Sequence, residues 1–255
     1  MKLNSDFEKR GNWLFRHRSY FPLLILPVLL VALRDSEYIE RHFGEGLQTI
    51  WEILCIIISF GGLLVRALTV GWVPEGTSGR NTKGQLAQSL NTKGLYSVMR
   101  HPLYFGNFMI TLGFALFAQV WWFVIIFMLL FCIFYERIIF AEEAFLEKEF
   151  GETFKKWADG TPVFFPNIRQ WRRPGAHFSW RMVLKREYST FFGTIVGLVF
   201  IKFFAELLGQ HELKFRPIWV FFLSIGLLVY IVFRTLRKKT RLLHREENPT
   251  HSLEN

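Results

Sequence analysis

The stretch LYFGNFMITLGFALFAQVWWFVIIFMLLFCIFY, residues 103–135, holds no charged side chain over its 33 positions. A helix of about 20 mostly apolar residues crosses a bilayer. The run is therefore too long for one ordinary span and leaves almost nothing for a connecting loop if it makes two. It reads as a tight helical hairpin buried in a membrane, with its turn at Ala118-Gln119. Outward from it, further apolar blocks at 20–33, 47–70, 190–208 and 217–236 join the two halves, 103–118 and 120–140, as candidate spans. The first is short and made irregular by Pro22 and Pro27. It starts late, shows no small-residue cleavage site and runs into Arg34-Asp35-Ser36-Glu37, so it reads as a span and not as a signal peptide.

The net charge of +10 invites a nucleic-acid reading, which its distribution excludes. With the N-terminus in the cytoplasm and six spans, the segments on that side carry 25 of the 31 Lys and Arg residues. The outer loops keep only Arg34, Arg41, Lys214 and Arg216, and Arg66 and Lys202 fall inside spans. This is the positive-inside pattern, a signal of topology. Cys55 and Cys132 lie deep in apolar blocks, where neither a disulfide framework nor a zinc site is expected. The other histidines (17, 42, 177, 211, 244 and 251) lack ligand spacing, so no metal is expected. The expected fold is an all-α, polytopic integral membrane bundle of about six transmembrane helices, with both termini cytoplasmic and a cytoplasmic amphipathic helix. Three parts are expected: an N-terminal hairpin (1–72), a core (73–167), and a C-terminal hairpin with a basic tail (168–255).

Polar residues bracket the central hairpin. Before it stands Gly94-Leu95-Tyr96-x3-Arg100-His101-Pro102-x-Tyr104, with Pro102 placed to open a helix. The free amides of that helix N-terminus favour anionic groups, and Asn107 lies one turn further in. Behind the hairpin, Ile138, Phe145, Leu146, Phe150 and Phe154 recur at helical spacing among Glu and Lys residues. The last span thus continues into the cytoplasm as an amphipathic helix carrying Arg137 and Glu142-Glu143, ended by Gly160 and Pro162. Arg66 is expected to snorkel toward the cytoplasmic surface, the alternative being that it faces the bundle and a ligand; Gly61-Gly62 is expected to mark close helix packing, and Lys202 and Glu206, four apart, to face one another.

The ordered set of Gly94 to Tyr104, Glu142-Glu143-x2-Leu146-x3-Phe150-Gly151 and Thr161-Pro162-Val163-x2-Pro166 resembles the isoprenylcysteine carboxyl methyltransferase family. That family lies within a wider group of membrane methyltransferases that includes phospholipid methyltransferases. The resemblance covers roughly residues 80–167. It implies an integral membrane enzyme that uses S-adenosylmethionine on a lipid or lipidated acceptor. Gln88, Ser89, Leu90, Asn91 and Tyr96 would then approach the adenosine, and His101, Pro102, Leu103 and Tyr104 would line the cofactor. Glu142 would hold its amino group. Arg100 and Arg137 would be catalytic, Arg137 orienting the acceptor and Arg100 serving either the acceptor or the cofactor carboxylate. A carboxylate or phosphate acceptor needs no general base, and the balance of Arg over spare carboxylates favours such an oxyanion. The alternatives are a phospholipid amine N-methyltransferase, a sterol-reductase-like oxidoreductase using NADPH, and a scaffold that kept only the fold. The absence of a cleavable signal, retention motif or prenylation signal fits a bacterial inner membrane.

Overall fold

The computed structural model describes residues 2–36, 38–73, 89–210 and 216–239. They form helices and connecting turns: α1 (Lys2–His17), α2 (Phe21–Ala32), α3 (Tyr38–Trp72), α4 (Pro102–Phe117), α5 (Trp121–Gly160), α6 (Trp180–Ala205) and α7 (Pro217–Lys239). The all-α membrane bundle expected from the sequence is what forms. Of the six apolar blocks, those in α3, α5, α6 and α7 become helices long and apolar enough to cross a membrane. The other two are shorter, 16 residues in α4 and 12 in α2.

The hairpin turn falls where the uninterrupted apolar run required it. Ala118 caps α4, and Gln119 takes a left-handed φ of 59° before α5 begins. A non-glycine residue in that conformation needs compensation. Here the Gln119 side chain accepts from the Ile39 amide at 3.0 Å and donates to Gln48 Oε1 at 2.7 Å, tying the turn to α3.

α3 and α4 pack at close range through small residues, as Gly61-Gly62 foretold. A Cβ on Gly62 would lie 2.5 Å from the Gly106 carbonyl oxygen, and one on Gly106 would lie 2.5 Å from Cγ of Arg66. The N-terminal segment, read from sequence only as polar and basic, is helix α1. Its Gly11 lies against the backbone of Arg137 and the side chain of Ala141. α5 runs 40 residues, about 60 Å at helical rise, well beyond a hydrocarbon core of about 30 Å. The expected continuation of the last span to Gly160 is therefore present. It breaks once, at Gly151 (φ 50°, ψ −127°), a backbone conformation essentially reserved for glycine. Beyond the break, buried Phe154 packs on Trp157, whose indole N–H donates to the Tyr96 carbonyl at 3.1 Å. The bend thus carries the end of α5 back beneath the segment that opens α4.

Candidate functional site

The loop before α4 is held by the segment that follows α5. The Arg100 amide donates to the Pro162 carbonyl at 2.8 Å and the Asn167 amide to the Val98 carbonyl at 2.9 Å. Gly94 (φ 61°) pairs with Arg172, and the Arg172 amide also donates to Ser97 Oγ at 2.9 Å. The first and third sequence motifs are thus two sides of one clasp. Pro102 opens α4 as expected, with His101 at the cap.

That clasp sets His101 and Tyr104, rings stacked at 5.6 Å, against the polar C-terminal half of α5. Tyr104 donates its hydroxyl to Glu142 Oε2 at 2.6 Å. His101 Nε2 lies 2.9 Å from Glu143 Oε1, so that nitrogen carries the proton, while Nδ1 lies 3.8 Å from Glu142 Oε2. Arg100 Nη1 donates to Glu143 Oε2 at 3.1 Å. Among the described residues, Arg100 Nε is buried with no hydrogen-bond partner. An unmet buried donor is costly unless a ligand satisfies it. The two carboxylates remain about one-quarter exposed, 30% for Glu142 and 23% for Glu143, so they are open to a ligand. Tyr96 is partly buried in the same neighbourhood. Burial pushes its phenol above the usual tyrosine range, reinforced by the Glu142 charge and opposed by Arg186 and Arg66.

The cluster extends deeper than the sequence indicated. Tyr135 lies edge-on to Tyr104 at 5.2 Å, and its hydroxyl accepts from Asn107 Nδ2 at 3.3 Å. Asn107 Oδ1 accepts from Arg66 Nη1 at 2.6 Å. Arg66 in turn makes a two-pronged contact with Glu187 of α6, Nε to Oε2 at 2.9 Å and Nη2 to Oε1 at 2.8 Å. Arg66 therefore does not snorkel: its side chain is 12% exposed and faces the bundle. The physical reason is Glu187, a bidentate partner that satisfies the guanidinium inside. The polarity of Asn107 and the alternative inward placement of Arg66 are the sequence hints of this extension.

The remaining predicted residues are spread more widely. Leu103 is partly buried and Pro102 fully so, both in the first turn of α4. Ser89 is exposed, and Leu90 and Asn91 are partly buried, in the non-helical run before Gly94. Gln88 lies outside the described residues. The structure does not bring Arg137 into the hydrogen-bonded cluster; its guanidinium lies 3.4 Å above the Phe7 ring of α1.

A cavity of about 630 Å³ opens on the inner side of this network, among α2, α4, α5 and α6. Its walls are apolar (Leu26, Phe114, Phe127 and Phe200 among them) and one end reaches Asn107 and Tyr135. Arg18, from the turn between α1 and α2, also lines it.

Residues 53–153 match the family of phospholipid methyltransferases. The chain is 32% identical over 165 residues to the nickel-cobalt-cadmium resistance protein NccN of Alcaligenes xylosoxydans xylosoxydans, covering 63% of this chain and 70% of that protein. It is 30% identical over 163 residues to the cobalt-zinc-cadmium resistance protein CzcN of Cupriavidus metallidurans, covering 63% and 69%. No solved structure matches it. With both polar motifs joined across a membrane hairpin, and with this match and these relatives, the chain belongs to the phospholipid methyltransferase family, within the membrane methyltransferases akin to isoprenylcysteine carboxyl methyltransferase.

Proposed function

We propose that this protein transfers a methyl group from S-adenosylmethionine to an oxygen of a lipid or lipidated acceptor held within the membrane. The observation that carries the reading is the apolar cavity ending at Asn107 and Tyr135, one aromatic contact away from Tyr104 and Glu142. Pockets for small ligands are mostly apolar with a few placed polar groups, and this one suits an aliphatic chain.

The polar cluster fits the amino-acid end of the cofactor. Arg100 Nε is a buried donor awaiting an acceptor, which a carboxylate supplies. Glu142 and Glu143 are partly open carboxylates suited to an ammonium group. When bound, the cofactor supplies an electrophilic methyl on a sulfonium sulfur. The protein's own part is placement and charge. Glu143 fixes Arg100 and His101, Glu142 is aimed by Tyr104, and the apolar walls exclude water from the reacting line. An anionic oxygen already carries its electron pair, so no side chain needs to remove a proton.

The relatives named for nickel, cobalt, zinc and cadmium resistance favour a place in a metal-exposed membrane. Methylating a lipid carboxylate or phosphate removes one negative charge, and with it an attraction for divalent cations at the surface. The charge distribution supports a bacterial inner membrane, both termini and the polar cluster facing the cytoplasm.

Isothermal titration of S-adenosylmethionine into the purified protein, with Glu142→Ala beside it, tests the reading. Saturable binding by the native protein, abolished in the variant, is expected. Absent binding to folded native protein overturns it, and NADPH binding in its place returns the oxidoreductase alternative.

A further inference from the structure

The cavity has one charged residue in its lining, Arg18. An arginine facing apolar walls is costly unless a counter-charge meets it. Yet no carboxylate lines this cavity. The guanidinium is held in place by its own segment: it lies 4.0 Å above the Phe15 ring, and Nη1 donates to the Phe15 carbonyl at 2.9 Å. Among the described residues that is its one hydrogen bond, which leaves the rest of a five-donor fork for a ligand. Arg18, Asn107 and Tyr135 line the same cavity, so the cation and the inner end of the polar network face one space. Arg18 stands outside the matched residues 53–153, in a segment the family's motifs do not describe.

We propose that Arg18 holds the anionic oxygen of the acceptor, and that the preferred acceptor is an aliphatic chain ending in a carboxylate or phosphate. The proposal rests on the methyl-transfer reading and names the substrate class of that same site. The acceptor oxygen supplies the electron pair for the new O–CH3 bond while the S–CH3 bond breaks. The sulfonium becomes a neutral thioether and the acceptor loses one negative charge, with no proton exchanged. The product is then less attracted to Arg18 than the substrate was, which favours its departure. A lysine would supply the charge without the fork, so Arg18→Lys should retain part of the preference.

The test is equilibrium binding of three probes of one chain length, palmitate, hexadecyl phosphate and hexadecylamine, to the full-length protein in detergent. Native protein is compared with Arg18→Gln, Arg18→Lys and the exposed neighbour Arg16→Gln. Both anions should bind the native protein more tightly than the amine. They should weaken by about tenfold to a hundredfold in Arg18→Gln, recover in part in Arg18→Lys, and be unchanged in Arg16→Gln. The tighter of the two anions identifies the head group. Equal binding of amine and anions, or unchanged anion binding in Arg18→Gln, overturns the proposal. The melting temperature of each sample reports folding of the variants, and S-adenosylmethionine binding and methyl transfer, measured on the same samples, separate the two readings. Arg18-dependent anion binding without any cofactor binding leaves the anionic lipid site standing and removes methyl transfer. Cofactor binding and transfer indifferent to Arg18 do the reverse.

Discussion

The pair formed by α3 and α6 carries a buried ion pair at each end, and the two ends differ. Near the loop that opens α4, Arg66 and Glu187 meet in a two-pronged contact that passes through Asn107 to Tyr135 and the cavity. About 21 Å away along α3, Lys202 of α6 lies 3.0 Å from Glu52 and 3.6 Å from Glu206. Gln48 donates to Glu52 at 3.0 Å and, through Gln119, ties that cluster to the hairpin turn. One end is joined to a site and the other to a turn. Lys202 and Glu206 do face one another, as their spacing predicted, but Glu52 is the nearer partner. Glu206 begins a π-helical turn, and its Oε2 is buried without a partner among the described residues. Buried charge is thus placed in two ways here, against the polar network of the candidate site and against a helix turn, and variants separate the two.

The largest effect belongs to Arg66→Met. It removes the two-pronged partner of the buried Glu187 carboxylate, and should cost about 3–5 kcal/mol in a denaturation experiment, as well as methyl transfer. In Arg66→Met with Glu187→Gln stability should largely return while transfer does not, because Asn107 still lacks its donor. Lys202→Met should cost a similar amount, about 3–5 kcal/mol, with Glu52 and Glu206 left facing each other. The difference lies in the rescue: Lys202→Met with Glu52→Gln should regain both stability and transfer. If that double variant folds yet stays inactive, the comparison fails and the far end belongs to the site.

Smaller effects sharpen the picture. Gly151→Ala places a side chain in a conformation it avoids and should destabilise by about 1–3 kcal/mol, seen as a lowered melting temperature. Gly193 lines the cavity and has open space where a Cβ would stand. Gly193→Leu should therefore raise the acceptor KM by about tenfold through lost chain contacts, leaving cofactor affinity unchanged. The smallest effect is one of pH. The unfolded Tyr96 phenol loses its proton near its ordinary value of 10.0, whereas the folded one retains it to higher pH. The folded state then holds more protons, so stability is unaffected below that value and falls above it, by at most about 1.4 kcal/mol per pH unit. Subtracting the alkaline melting curve of Tyr96→Phe should isolate this slope.

The sequence revealed what is local. The hairpin turn at Ala118-Gln119, the helix opening at Pro102 and the run of α5 to Gly160 follow from hydropathy, proline and glycine alone. The resemblance named His101, Tyr104 and Glu142, which the fold gathers together. What it could not reveal is pairing at long range. Arg66 and Glu187 are 121 positions apart, and nothing near either one announces the other. Arg18 looked like one more positive charge at a membrane boundary, because only the path of α2 turns it toward a cavity. Arg137 shows the converse. Its place beside a span pointed to the site, but α1, which carries no motif, folds back and sets Phe7 beneath its guanidinium.

The clasp between residues 94–100 and 162–172 also orders events in time. The backbone groups of residues 94–100 find these partners only in chain made some seventy residues later, after the whole hairpin has been synthesised. A nascent chain ending before Arg172 holds its central hairpin but not the complete clasp that sets His101 and Tyr104. The central hairpin therefore precedes its clasp in synthesis, and the segment at 162–172 completes the setting of His101 and Tyr104 only once both halves of the hairpin exist.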